Sequence, residues 1–572
     1  MSFVAEQNYL WASLMVEELA RLGVDYFCIA PGSRSTPLTV ACAQNKKVKT
    51  FVHFDERALA FHALGYASST KGGVAIITTS GSAVANLFPA VMEASKKKLP
   101  LLILTADRPP ELRQTGANQT AEQVGIFGAY VRWQMDVPAP TETIAPEFIL
   151  TTMDQAVFRS RGEWPGPVHL NCMFREPFLP ETLESVQGPA GWMKSAEPFT
   201  KYTKAEPALT QTQARLLAKE LKNVQKGLLA VGKLRSPEEE AAVLKLAEKL
   251  QWPIFADITS GLRWGKKHEL IVTHFDQVLT HQQPKVDVLL QLGGRMTSKQ
   301  FYQWLEQQTP QSYMMVLKHP LRHDPLHNVT SRVQASVTDF CQKLLPELPS
   351  RKETWAASLL ALNTKVRQRY MFHFESEDAL SETGVVYTLA THFPKGHALF
   401  LASSLPIREM DRFADSEESL DVSIGANRGV SGIDGTIASA IGYAQGLKQP
   451  VTLLIGDLAF LYDLNTLAML AAVKYPLTII VLNNDGGGIF NFLPIAQQKA
   501  VFEPYFAAPH HLSLVDAAKM FGLPFERPQN LSEFIQVLEK SSTAGHTTVI
   551  EVVVDREKNV KEQQLLQSLK VK

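Results

Sequence analysis

The sequence predicts an α/β protein made of three doubly wound parallel-sheet domains in series. Short apolar, β-branched-rich runs alternate with helix-period segments along most of the 572 residues, the pattern of parallel strands covered by helices on both faces. Two loosened stretches, 180–207 and 345–354, carry Pro, Ser and Lys and read as connectors. The length also exceeds what one core sustains. The expected domains are 1–185, 206–348 and 355–572.

The first domain opens with a helix over Tyr9 to Leu22, followed by strands at Tyr26 to Ala30, Thr50 to Phe54, Val74 to Thr78 and Leu101 to Thr105. Strands at Gly227 to Val231, Pro253 to Ala256, Val286 to Leu292 and Tyr313 to Leu317 make the second. Val451 to Ile455 and Leu477 to Leu482 are buried parallel strands of the third.

Composition narrows the function classes. With 57 Lys+Arg against 57 Asp+Glu, the chain has no electrostatic case for nucleic acid. It has no run of about 18 apolar residues and no basic-then-apolar start, so membrane insertion is not expected and a cytoplasmic location is. Cys28, Cys42, Cys172 and Cys341 lack metal-ligand spacing and a disulfide framework, and read as buried thiols. Lys96, Lys97 and Lys98 read as a solvated helix end.

The chemistry concentrates where two strands of the third domain end. One runs into Gly456-Asp457-Leu458-Ala459, the other into Asn483-Asn484-Asp485-Gly486-Gly487-Gly488. If these strands are neighbours, Asp457 and Asn484 meet at their carboxyl ends. A carboxylate, an amide oxygen and a backbone carbonyl of the glycine run, taken as Gly486, form a hard oxygen set suited to Mg²⁺ or Mn²⁺ on a diphosphate. Taken singly, Asp457 serves equally as a helix cap and Asn484 as a turn residue.

Together the two motifs resemble the Gly-Asp…Asn-Asn signature of thiamine diphosphate enzymes. That resemblance implies thiamine diphosphate as cofactor, pyrimidine-binding and diphosphate-binding domains separated by a middle domain, and active sites between subunits of a homodimer or homotetramer. Glu56, in His53-Phe54-Asp55-Glu56-Arg57, stands at a strand-to-helix junction. Read alone, it is an acid favoured by a helix N-terminus; the resemblance makes it the partner of the aminopyrimidine ring. Ser80 and Gly81 in Thr79-Ser80-Gly81-Ser82 either cap a helix or let the cofactor ring approach the backbone.

Basic residues follow several strands: Arg34, Arg108, Arg408 and Arg428, with Lys299 after Gly293-Gly294-Arg295. Each alone is accounted for by an ion pair or a loop brace. As a set they suit polycarboxylate substrates, because the guanidinium fork matches carboxylates. The segments Ala30-Pro31-Gly32-Ser33-Arg34-Ser35-Thr36-Pro37, Thr105-Ala106-Asp107-Arg108-Pro109-Pro110, Gly116-Ala117-Asn118-Gln119 and Asn427-Arg428-Gly429-Val430-Ser431-Gly432-Ile433-Asp434-Gly435 resemble the isochorismate-using branch of the family in menaquinone biosynthesis.

By that resemblance the substrates are 2-oxoglutarate, which is decarboxylated, and isochorismate, which accepts the remaining four-carbon unit by 1,4-addition. Ser404 and Arg408 would hold the donor carboxylate. Ser33, Arg34, Arg108, Gln119 and Lys299 would hold isochorismate, and Arg428 would serve either. Ile433 would bend the cofactor, and Ile489, Phe490 and Leu493 would wall the cleft. Gln300 stands where some relatives carry a second basic residue. Three other readings compete. An acetohydroxyacid synthase or 2-oxoacid decarboxylase takes less charged substrates. A nicotinamide or flavin domain at Gly293-Gly294 lacks the Gly-x-Gly-x-x-Gly turn. A non-catalytic regulator is disfavoured by Glu56, Asp457 and Asn484 all being present.

Overall fold

The computed structural model describes residues 2–70, 72–183, 188–415 and 420–568. Its strands form three sheets. The first contains β1 (Val24–Ile29), β2 (Lys49–Val52), β3 (Gly73–Thr78), β4 (Leu102–Asp107), β5 (Trp133–Val137) and β6 (Val168–Met173), all paired parallel in the order β2-β1-β3-β4-β6-β5. The second has β7 (Gly227–Val231), β8 (Ile254–Ala256), β9 (Val288–Leu292), β10 (Ser312–Leu317) and β11 (Ser331–Gln334), again parallel, in the order β11-β10-β9-β7-β8. The third has β12 (Ala398–Leu401), β13 (Ile424–Ala426), β14 (Val451–Gly456), β15 (Leu477–Asn483), β16 (Phe525–Glu526) and β17 (Thr548–Val553), ordered β13-β12-β14-β15-β17-β16. The order turns between β1 and β3 in the first sheet, between β7 and β9 in the second and between β12 and β14 in the third; ligands of open α/β sheets bind at such turns, beyond the carboxyl ends of the strands.

The chain resolves into two compact units. One comprises Met1–Ala205, Asn427–Val451 and Leu461–Leu477; the other Glu206–Ala426, Thr452–Phe460 and Thr478–Lys572. In the first unit, a core of Trp11, Phe27, Ile77, Leu104, Met153 and Leu170 fills the space between the sheet and its helices. Helix Thr436–Leu447 lies on helix Glu56–Ser69, and glycines set their separation. A Cβ added at Gly65 would stand 2.0 Å from the Ser439 carbonyl oxygen, and one at Gly442 2.0 Å from that of His62. Ser439 Oγ donates to the Phe61 carbonyl at 3.2 Å across the same contact.

In the second unit one core runs from Phe255, Phe275 and Trp304 to Phe374, Phe413 and Ile480. The reversal point of its β7–β9 sheet is closed by main chain: a Cβ at Gly232 would meet the Gly294 carbonyl oxygen at 2.0 Å. Gly293-Gly294 therefore serves strand-end packing there. All four cysteines are buried free thiols.

Some details differ from the sequence reading. The first helix starts at Ser2 rather than Tyr9. Arg408 lies inside helix Leu405–Phe413 rather than in a loop, because Pro406 suits the first helical turn, where its missing N–H is not needed.

Candidate active site

In the first unit the loops after β1, β3 and β4 converge at the reversal between β1 and β3. Arg34 is 6% exposed, donates from Nη1 to the Phe174 carbonyl at 2.9 Å and from Nη2 to Glu176 Oε1 at 3.0 Å, and stacks over the Phe178 ring. Its Nε is buried with no acceptor among the described residues. Burial, and then the nearby charge of Arg108, lower its pKa. Arg108, also buried, donates to Ser80 Oγ. Gln119 Nε2 donates to the Ser80 carbonyl at 3.0 Å, and the Gly81 N–H donates to Gln123 Oε1 at 2.9 Å. Arg34, Ser80, Gly81, Arg108 and Gln119 thus belong to one cluster, and Ser33 precedes Arg34 in its loop.

Glu56 is the first residue of helix Glu56–Ser69, but the capping belongs to Asp55, whose Oδ1 accepts from the N–H groups of Arg57 and Ala58 at 2.9 and 3.1 Å. The Glu56 carboxylate is left half-buried, with Asn86 Nδ2 at 3.4 Å. The loop bearing Arg428 and Ile433 is fixed at both ends by carboxylates that accept main-chain N–H groups. Glu93 takes those of Gly429 and Val430 at 2.7 and 2.6 Å, and Asp463 those of Gly435 and Ile437 at 2.8 and 3.0 Å. Burial raises the Asp463 pKa to about 6, against the pull of these N–H groups and of Arg57.

In the second unit, β14 and β15 are neighbours, and their ends bring Asp457 and the glycine run together. Asp457, 2% exposed, accepts from the Gly486 N–H at 2.9 Å and the Leu458 N–H at 2.6 Å, with His510 Nε2 3.3 Å away. Burial raises its pKa despite these contacts, so a nearby cation would favour its ionised form. Asn484 Nδ2 donates to Glu382 Oε1 at 2.8 Å, while its Oδ1 is buried and accepts nothing among the described residues. An orphaned amide oxygen and a buried carboxylate following the ends of neighbouring strands suit a hard divalent ion. Among the described residues no group of three or more His, Cys, Asp or Glu side chains is arranged to hold a metal.

Gly456 ends β14 and Leu458 follows Asp457 in the next helix. Ile489 and Phe490 sit on the 3₁₀ turn Gly488–Phe492, and Leu493 follows; Phe490 and Leu493 are 36% and 44% exposed, open rather than packed away. Ser404, at φ 75°, immediately precedes the helix after β12 without a side-chain capping bond, and the Arg408 guanidinium folds back onto its carbonyl. Arg295 lies close enough to Arg408 to lower its pKa, after burial. Lys299 opens helix Lys299–Glu306, capped by Ser298, and is exposed.

Sequence reasoning missed two carboxyl groups behind Asn484. Glu382 is 1% exposed and burial raises it to about 7; Glu409, equally buried, is raised further. Their only sequence signal is an acidic residue among apolar helix positions.

Known proteins place this geometry. Residues 11–126 match the thiamine pyrophosphate enzyme N-terminal TPP binding domain, 184–401 the middle domain, and 422–552 the C-terminal TPP binding domain. The 2-succinyl-5-enolpyruvyl-6-hydroxy-3-cyclohexene-1-carboxylate synthase of Rubrobacter xylanophilus is 45% identical over 97% of this chain and 96% of its own. The chain belongs to this synthase family. The Salinibacter ruber synthase is 43% identical over 96% of this chain and 95% of its own. The fold is shared with benzoylformate decarboxylase from Polynucleobacter necessarius, at TM-score 0.71 and 16% identity, over 96% of this chain and 99% of that one. As a member of its family the synthase is a thiamine diphosphate-dependent transferase of menaquinone biosynthesis, with both cofactor-binding domains present.

Proposed function

We propose that the synthase decarboxylates 2-oxoglutarate and joins the remaining four carbons to isochorismate by 1,4-addition, giving CO₂ and 2-succinyl-5-enolpyruvyl-6-hydroxy-3-cyclohexene-1-carboxylate. The observation that carries the substrate reading is the buried Arg34 beside Arg108 at the reversal point of the first sheet. Two adjacent guanidiniums repel one another in the free protein, and a ligand rich in carboxylates offsets that repulsion through paired N–H donors.

Bound thiamine diphosphate supplies a carbon nucleophile and then an electron sink. Asp457, Asn484 and the Gly486 carbonyl would hold Mg²⁺ or Mn²⁺ for its diphosphate, with Gly456, Leu458 and Ile489 as the cofactor's neighbours. Glu56 would hold or release a proton at its carboxylate toward the cofactor's pyrimidine ring, and Ser80, Gly81 and Ile433 would shape the space around that ring. Arg408 and Ser404 hold the donor carboxylate; Ser33, Arg34, Arg108, Gln119 and Lys299 hold isochorismate; Arg428 serves either. Ile489, Phe490 and Leu493 exclude water.

The working unit is a cytoplasmic homodimer or homotetramer with active sites between subunits. Val52 and Phe54, 56% and 63% exposed just before Glu56, support this as apolar surface for a second copy to cover. The test is isochorismate consumption by metal-stripped protein. It should require 2-oxoglutarate, thiamine diphosphate and Mg²⁺ together; persistence of isochorismate while the cofactor binds would refute the substrate pair.

A further inference from the structure

The Asn484 amide is gripped at one end only. Nδ2 donates to Glu382 Oε1 at 2.8 Å, and Oδ1, on the opposite side, is buried without a hydrogen bond among the described residues. Glu382 is itself held in place. It is the first residue of helix Glu382–Thr391, which Ser381 caps, and its charge is felt by buried Glu409, whose Oε1 accepts from Gln563 Nε2 at 2.6 Å and Asn559 Nδ2 at 3.4 Å.

The two ends of a primary amide are nearly equal in shape and opposite in polarity, so the partner behind decides which end points forward. With oxygen forward, Asn484 adds a third hard ligand beside Asp457 and Gly486. With nitrogen forward, it presents N–H donors that repel a cation and compete for the Asp457 carboxylate. We propose that Glu382 is a positioning residue whose buried acceptor turns the Asn484 oxygen toward the metal position. The proposal rests on the metal reading of Asp457, Asn484 and Gly486 given above.

Mn²⁺ binding to the full chain, read from the electron paramagnetic resonance signal of free Mn²⁺ with thiamine diphosphate present and substrates absent, tests it without turnover. Removing the outer partner of a ligand costs about 10- to 100-fold in metal affinity, so Glu382→Leu should lose that much, while Glu382→Gln, which keeps an acceptor oxygen, should stay within about threefold. Wild-type affinity in Glu382→Leu, or an equal loss in Glu382→Gln, overturns the assignment. Should Glu382→Leu lose cooperative melting, Glu382→Gln decides alone: retention supports the acceptor role and a loss of about tenfold or more refutes it. Asp457→Ala separates the two levels. If it binds Mn²⁺ normally, the metal site itself is misplaced; if it does not bind while Glu382→Leu does, only the positioning role fails.

Discussion

Replacing Gly65 by alanine probes the contact that joins Glu56's helix to the one following Ile433. The new Cβ would stand 2.0 Å from the Ser439 carbonyl oxygen, where ordinary contact begins at 3.4 Å. The obstruction is main chain, so no rotamer relieves it and the two helices must part by about 1.4 Å, the difference between those distances. Overpacking of this kind costs about 1–3 kcal/mol, toward the upper end for a backbone clash. Helix propensity returns up to about 1 kcal/mol, leaving a net loss of roughly 1–2 kcal/mol. For a body of this size that lowers Tm by about 2–8 °C. Differential scanning calorimetry of the cofactor-free protein measures it. Gly191→Ala, where an added Cβ meets nothing within 4 Å, is the control and should not melt earlier. An unchanged or raised Tm in Gly65→Ala would refute the claim that this glycine sets the helix separation.

Glu56→Gln should still bind thiamine diphosphate by calorimetry but turn over about 10²- to 10⁴-fold more slowly, and near-normal turnover would remove the proton-exchange role. Arg408→Ala should raise KM for 2-oxoglutarate by roughly tenfold or more, the worth of a hydrogen bond to a charged group, with cofactor affinity unchanged; an effect confined to isochorismate saturation would reassign it. Asp154→Asn addresses a buried carboxyl pair. Glu18 accepts from the Phe199 N–H and Trp192 Nε1, both at 2.5 Å, and Asp154 from the Thr200 N–H at 2.8 Å. Burial, then hydrogen bonding to Asp154, raises Glu18 to about 7, and burial raises Asp154 as well. The folded state therefore keeps protons that the unfolded chain releases, and this pair's contribution to stability falls as pH rises from the ordinary carboxylate range to 7. Asp154→Asn should flatten that fall in a series of melts from pH 5 to 8; an unchanged slope would refute the pairing.

The fold was readable where burial and apolar character coincide. Gly227–Val231 appears as a strand with the expected ends, and β14 and β15 extend the runs Val451 to Ile455 and Leu477 to Leu482 by one residue each. Val168–Met173 was not readable, because His169 and Asn171 interrupt its apolar pattern. Both are buried in a polar network, with Thr105 Oγ1 at 2.8 Å from His169 Nε2 and Gln123 Nε2 at 2.8 Å from Asn171 Oδ1. The Gly456-Asp457 and Asn483-Asn484 segments stood out because such residue types are distinctive at strand ends. Glu382 and Glu409 were not, since an acid on a helix is ordinarily solvated and only the tertiary structure buries it. The clustering of Arg34, Arg108, Ser80 and Gln119 needed the β2-β1-β3-β4 order, which no local pattern encodes.

The paired helices also bear on the timing of synthesis. Ser439 meets Phe61 across 378 positions of chain. At a ribosomal pace of about 5–20 residues per second, roughly 20–75 s separate the emergence of the first helix from that of its partner. During that interval the glycine-bearing face of Glu56–Ser69 has no mate, and the nascent chain presents a sticky helix that must neither aggregate nor pair wrongly. The N-terminal domain can assemble its sheet early, but it finishes folding only after more than three-quarters of the polypeptide has been made.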